Sequence, residues 1–247
     1  MSRIYRKPPL IEALCEFQFV EEGWDWTIPG LIYRELKDRF PQKRQAQVVE
    51  FEVQAEPSQF SQRVKGGPGW MQFLRSDESA LVQVGPNLLV VNHLPPYPHW
   101  NEFKVLILDV LSVYQRVARP KGFRRIGLRY INRIETPGTS FDLPTYFNLR
   151  PHLPAAIEAP YGTVLMRVEL QHDMDQGQLL LTFARAVDGD DAAPVFVLDL
   201  DFATTSAGEL SQDSVCGWIE QAHSRIEMAF EACVTDALRE FFEEIKP

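Results

Sequence analysis

The sequence predicts an α+β fold: an antiparallel sheet with helices packed on one of its faces. Three observations predict it. Segments such as 10–20 and 123–135 alternate apolar and polar residues, the period of a half-buried strand. The stretches 100–117 and 211–241 place apolar residues at three- and four-residue steps, the period of an amphipathic helix. Between strand-like segments stand short turn signals such as Gly85-Pro86-Asn87, too short for the crossover that parallel strands require.

Each element follows in order. Residues 10–20 set Ile11, Ala13, Cys15, Phe17 and Phe19 on one face of a strand, with Glu12, Glu16 and Gln18 on the other. Asp25 or Thr27 then caps a helix whose first turn holds Pro29; Leu31, Ile32, Leu36 and Phe40 mark it and Pro41 stops it. Residues 46–54 alternate again, and the Gly-Gly-Pro-Gly at 66–69 is expected to turn the chain before a strand at 70–77. Two further strands, at 80–84 and 87–94, complete a meander that Leu94-Pro95-Pro96-Tyr97-Pro98 breaks. A helix carries Trp100, Phe103, Ile107, Val110, Tyr114 and Val117, and Pro120 and Gly122 end it.

The pattern then starts over. A strand at 123–135 precedes a short helix near Thr145–Leu149 and strands at 163–171, 178–186 and 194–203. The turns between these strands are Asp173–Gly177 and Asp188–Pro194. Ser211 opens one long last helix, with Asp213 in its first turn and an apolar stripe through Val215, Ile219, Ala222, Ile226, Phe230, Cys233, Ala237 and Phe241. Both halves read strand, helix, antiparallel strands, long helix, without residue-level repetition. The expected organisation is therefore two similar halves, 1–120 and 121–247, packed as one unit. This is the element order of the duplicated TATA-binding-protein-like arrangement; the competing architecture is a helix-grip fold, one sheet wrapped around the last helix.

Composition narrows the function. The 247 residues are 45% hydrophobic and 24% charged, ordinary for a globular chain. With 25 Lys and Arg against 34 Asp and Glu, the net charge is −9, which disfavours nucleic acid and anionic membranes as partners. Cys15, Cys216 and Cys233 form no C-x-x-C, and an odd, sparse set reads as reduced thiols in the cytoplasm. Glu12 and Glu16 interrupt the apolar run a signal peptide would need, and no segment reaches the length of a spanning helix.

Two segments carry a resemblance: Pro8-Pro9-Leu10-Ile11-Glu12-Ala13-Leu14-Cys15-Glu16-Phe17-Gln18-Phe19 and Arg125-Ile126-Gly127-Leu128-Arg129-Tyr130-Ile131-Asn132-Arg133-Ile134. Together they resemble a sporadically distributed family of uncharacterised bacterial proteins of similar size. The resemblance implies an accessory or defence-type role and supplies no catalytic residue.

The segment 123–135 is the most informative. Arg125, Arg129 and Arg133 share one strand face with Gly127 and Ile131; Ile126, Leu128, Tyr130, Asn132 and Ile134 line the other. The apolar set must meet the helices, so the arginines face outward. If the two leading strands pair, Glu12 and Glu16 would interlock with them. The result is either a solvated salt-bridge ladder or an anion or partner site. Asn132, alone among apolar residues, needs a hydrogen-bond partner and is expected to tie down a helix end.

Asp199 and Asp201 lie about 7 Å apart on one strand face. They are the candidate metal pair, for Mg²⁺ and phosphoryl chemistry, though the same pattern serves to pair arginines. His93, His99, His152, His172 and His223 never stand at metal-ligand spacing; His93 and His99 flank the Pro-rich loop, where capping or turn contacts explain them as well as ligation would. Asp173-x-Asp175 lacks the later ligands of a calcium loop and reads as a turn. Of Trp24, Trp26, Trp70, Tyr97 and Trp100, three flank turns or the Pro-rich loop, where aromatic residues seal core ends or line a pocket.

No P-loop, G-x-G-x-x-G, H-E-x-x-H or G-x-S-x-G is present, so no cofactor is implied. The leading reading is a non-enzymatic recognition protein with a protein partner or self-association. Its alternatives are a small-ligand or nucleotide binder using the arginines, and a metal-dependent phosphoryl enzyme using Asp199 and Asp201.

Overall fold

The computed structural model describes residues 3–20, 23–56, 59–136, 143–154, 156–157, 163–172, 177–186, 194–204 and 212–245. The fold is α+β, with a large antiparallel sheet and a few helices. In chain order the elements are β1 (Leu10–Phe19), α1 (Ile28–Leu36), β2 (Gln42–Glu56), β3 (Gln59–Leu74), β4 (Ala80–Gly85), β5 (Leu88–His93) and α2 (Trp100–Ala118). There follow β6 (Phe123–Glu135), α3 (Leu143–Tyr146), β7 (Leu165–His172), β8 (Gly177–Ala186), β9 (Val195–Thr204), α4 (Gln212–Cys233) and α5 (Asp236–Phe241). Two compact units divide the chain, Cys15–Arg124 and Met1–Leu14 with Arg125–Pro247, so β1 contributes to both.

In the unit Cys15–Arg124 the strand order is β2-β3-β4-β5, and the second half of β1 lies beside β5. The Phe19 amide donates to Asn87 O at 2.8 Å at this junction. Cys15, Phe17, Phe19, Phe73, Val82, Val84 and Val91 are buried, as are Ile32 and Leu36 of α1 and Phe103, Ile107, Val110 and Tyr114 of α2. Phe19 stacks on Tyr114 at 4.5 Å, and Tyr33 meets Phe73 at 5.3 Å. Apolar periodicity thus selects the packed face, as the hydrophobic effect requires. Leu31, and Ile11 in the other unit, are expected among the packed apolar residues but are 39% and 40% exposed.

The Gly-Pro segment at 66–69 is not a turn. β3 runs straight through it and pairs with β2 from Glu56↔Gln59 to Gln42↔Leu74. The register shifts where Ala46 pairs with Trp70 and Val48 with Gly67, so Pro68 and Gly69 face Gln47 alone. Proline has no amide hydrogen to give a ladder, and the bulge absorbs it.

In the other unit the order is β6-β9-β8-β7, with the first half of β1 beside β6. Leu128, Leu179, Leu181, Phe183, Leu198, Leu200 and Phe202 are buried there, as are Val215, Ile219, Ala222 and Ile226 of α4. α4 packs on β9, and Phe202 meets Trp218 at 5.8 Å.

The expected single last helix is two. Val234 leaves the helix to form a bridge with Phe147, and Thr235 is extended at φ −89°, ψ 172°. Asn148 makes the break possible: its amide donates to Cys233 O at 2.9 Å, and its Nδ2 donates to Ala232 O at 3.1 Å and Val234 O at 3.2 Å. These bonds satisfy carbonyls that a helix end leaves open. Beyond the break Leu238 is buried while Phe241 is 44% exposed, so the predicted stripe ends at Cys233. The short helix forms at Leu143–Tyr146, slightly earlier than expected. The capping role of Ser211 and most of the turns at 173–177 and 188–194 lie outside the described residues.

Candidate functional site: the polar face of β6 and β9

β6 and β9 pair with Arg129 opposite Asp201 and Ile131 opposite Asp199. Because side chains alternate across a strand, Arg125, Arg129, Asp199 and Asp201 share the face away from buried Leu128 and Phe202. The two residue sets that the sequence singled out separately are partners. Arg129 Nε donates to Asp199 Oδ1 at 2.8 Å and Nη2 to Oδ2 at 2.6 Å. Arg125 Nη2 donates to Asp201 Oδ2 at 2.8 Å.

Gly127 permits the second pair. The Arg125 guanidinium lies across it, so that a Cβ there would sit 2.4 Å from Nη1. The carboxylates are the more buried members: side-chain exposure is 16% for Asp199 and 19% for Asp201, against 41% and 28% for Arg129 and Arg125. The Arg129 guanidinium is held more firmly protonated than usual. Its bonds to Asp199 are the main cause, with the charges of Asp199, Asp201 and Glu12 adding to them against the cost of burial. Arg133 bonds Glu135 on its own strand. Glu16, in the other unit, accepts a hydrogen bond from Gln18 Nε2 at 2.8 Å.

Asn132 is 4% exposed and its Nδ2 donates to Leu198 O at 3.1 Å. It ties β6 to the facing strand instead of to a helix end. Asp199 and Asp201 each hold a guanidinium, and among the described residues no group of three or more His, Cys, Asp or Glu side chains is placed to hold a metal ion.

Of the aromatic set, Tyr97 and Trp100 both meet Phe103, at 5.8 and 6.3 Å, and close the start of α2. His93 is buried beside Tyr97, and His99 stands at the N-cap of α2 without a side-chain cap bond. Trp24 meets Trp26 edge-on. Trp26 is 59% exposed over a cleft of about 320 Å³ that Tyr33, Lys43 and Met71 also line. Trp70 lies over Gly85 and, with Gln18, Asn87 and Arg124, lines a cleft of about 450 Å³.

One polar chain had no sequence signal beyond single glutamines inside apolar strands. Arg44 Nε donates to Gln72 Oε1 at 2.6 Å, Gln72 Nε2 to Gln83 Oε1 at 2.8 Å, and Gln83 Nε2 to Asn92 Oδ1 at 3.0 Å. It links β2, β3, β4 and β5 in one donor-to-acceptor direction.

No model of a known protein family matches the chain, and no curated protein sequence matches it. No helix among the described residues is long and apolar enough to cross a membrane.

Proposed function

We propose that this is a non-enzymatic recognition protein that binds a protein partner through the polar face of β6 and β9. The observation that carries the reading is the pairing of Arg125 with Asp201 and of Arg129 with Asp199, with the carboxylates more buried than the guanidiniums. Arg125, Arg129 and Arg133 are matched by Asp199, Asp201, Glu135 and the nearby Glu12, so the cationic charge is already compensated. A phosphate or nucleotide site needs uncompensated donors; a fixed mosaic of both signs suits a protein surface of complementary pattern. The same compensation weighs against the phosphoryl-enzyme reading.

We also propose that the two units are copies of one plan, as in TATA-binding-protein-like folds, and that the role is accessory or defence-type, as the resemblance of the two leading strands implies. In each unit the leading strand lies beside the last strand of its own meander, β1 beside β5 and β6 beside β9, which supports a duplication.

The test is thermal unfolding of wild type and Arg129→Ala against nucleotides, phosphorylated metabolites and divalent metals, beside cross-linking capture from the source extract with both proteins. A ligand at a hundred times its Kd adds about 2.7 kcal/mol and is plainly visible. A shift that Arg129→Ala abolishes overturns the reading in favour of a small-ligand site. A protein captured by wild type and lost with Arg129→Ala supports it.

A further inference from the structure

β7 ends the order β6-β9-β8-β7 of the described strands, and among the described residues its apolar side chains, except half-buried Met166, are exposed. Met166, Val168 and Leu170 face the same side as Phe183, Leu181 and Leu179, their partners on β8, which are 0%, 7% and 3% exposed. Yet Val168 is 37% and Leu170 44% exposed, and Leu165, on the other face, 75%. Natural edge strands are blocked by proline, by charged side chains (lysine above all), by bulges or by short length; the charges of β7 are one of each sign, Arg167 and Glu169, and so can pair with a second copy. Leu165–His172 contains neither proline nor lysine and pairs with β8 in unbroken register.

Its charges are arranged about one residue. Arg167 and Glu169 flank Val168 and are both exposed. When two copies of this strand run antiparallel with Val168 opposite Val168, Arg167 of each copy stands opposite Glu169 of the other. Met166 stands opposite Leu170, twice. Faces match as well, because residues directly opposite in an antiparallel pair lie on the same side. A one-residue slip would set apolar against charged side chains, so the register is specified by the pattern itself.

We propose that β7 is a homodimerisation edge: a second copy of this chain adds its own β7 antiparallel, with the two-fold axis at Val168. The ladder of each copy then continues into the other: Val168 covers Val168 and Met166 covers Leu170, while Leu165 stands opposite Gln171. An interface of one strand pair is small, so the dimer is transient and forms in the micromolar range. It uses neither Arg125 nor Arg129 and stands independently of the partner reading above.

The test is sedimentation velocity over a concentration series reaching about 1 mM, far above a micromolar Kd. Wild type, Arg167→Glu and the double variant Arg167→Glu/Glu169→Arg are compared. Wild type is expected to dimerise. Arg167→Glu sets like charges opposite each other twice, by symmetry, and weakens the dimer about tenfold or more. The double variant restores opposite charges in both pairs and restores the dimer. At concentrations too low for a dimer all three should melt alike, since the substituted side chains are exposed. A wild type that stays monomeric, a dimer indifferent to Arg167→Glu, or a double variant that fails to recover it overturns the proposal.

Discussion

Arg129 and Asp199 meet through two parallel donors across β6 and β9, the fork geometry that only arginine offers a carboxylate. The pair is asymmetric in its access to water. Asp199 is mostly covered, whereas Arg129 is 41% exposed, so solvent screens much of the attraction. Asp199→Asn is expected to cost about 1 kcal/mol, and Arg129→Lys a similar amount through loss of the fork. The double variant should cost less than their sum, because both remove one contact. Urea unfolding with an unchanged slope reads all three; strict additivity would show that the two side chains stabilise the fold separately.

Glycine at 127 keeps a path open for Arg125, and glycine at 177 makes room for a ring. A Cβ at Gly127 would meet the end of a flexible side chain, while one at Gly177 would lie 2.4 Å from Cε1 and Cζ of Phe202, which is fully buried. A guanidinium can swing aside and lose its bond to Asp201; a packed ring cannot move without disturbing the core. Gly127→Ala should therefore cost about 1 kcal/mol and Gly177→Ala about 1–3 kcal/mol in denaturant unfolding. In an Arg125→Ala background the cost of Gly127→Ala should vanish, since nothing remains to be displaced.

The strands were legible because alternation reports burial directly, and the division of Arg125, Arg129 and Arg133 from Ile126, Leu128 and Ile134 needed only the period of two. The partner of each arginine was not legible. Asp199 and Asp201 lie some seventy positions away along the chain, and register across β9 is a tertiary property. Local signals misled in two places. The Gly-Pro run at 66–69 carries turn chemistry but is spent on a bulge within β3. The last helix kept its apolar period past Cys233, and what ends it is Asn148, a distant residue that satisfies the carbonyls at the break.

Thiol chemistry gives a third prediction. Cys15 and Cys233 are buried and Cys216 is partly accessible. Burial pushes the Cys233 thiol up to about 11, leaving almost no thiolate at neutral pH. A thiol-exchange reagent should modify one cysteine rapidly in the native protein and all three in denaturant. Cys216→Ser should remove the fast phase, and a fast phase that survives it would mean that a buried thiol is exposed by local opening.

His93 supplies a pH dependence. It is 4% exposed, its Nδ1 lies 2.8 Å from Leu94 O, and it touches the rings of Tyr97 and Phe103. Burial is the main cause that moves its titration below the ordinary 6.5, with Arg75 adding to it; the Leu94 carbonyl and the charges of Asp77 and Glu102 oppose it. The unfolded chain therefore takes up a proton at a higher pH than the folded one. Stability from this group is fully present above pH 6.5 and is lost as pH falls from there through the lower folded value. Replacement by Asn, which keeps a donor near Leu94 but does not titrate, removes the dependence. The stability gap between wild type and His93→Asn should shrink between pH 7.5 and pH 5.5 by up to about 1.4 kcal/mol, the equivalent of one pH unit. Urea midpoints at the two pH values measure it. A constant gap would mean that His93 titrates alike in both states, and a widening one that the folded protein favours its protonated form, held by Asp77 and Glu102.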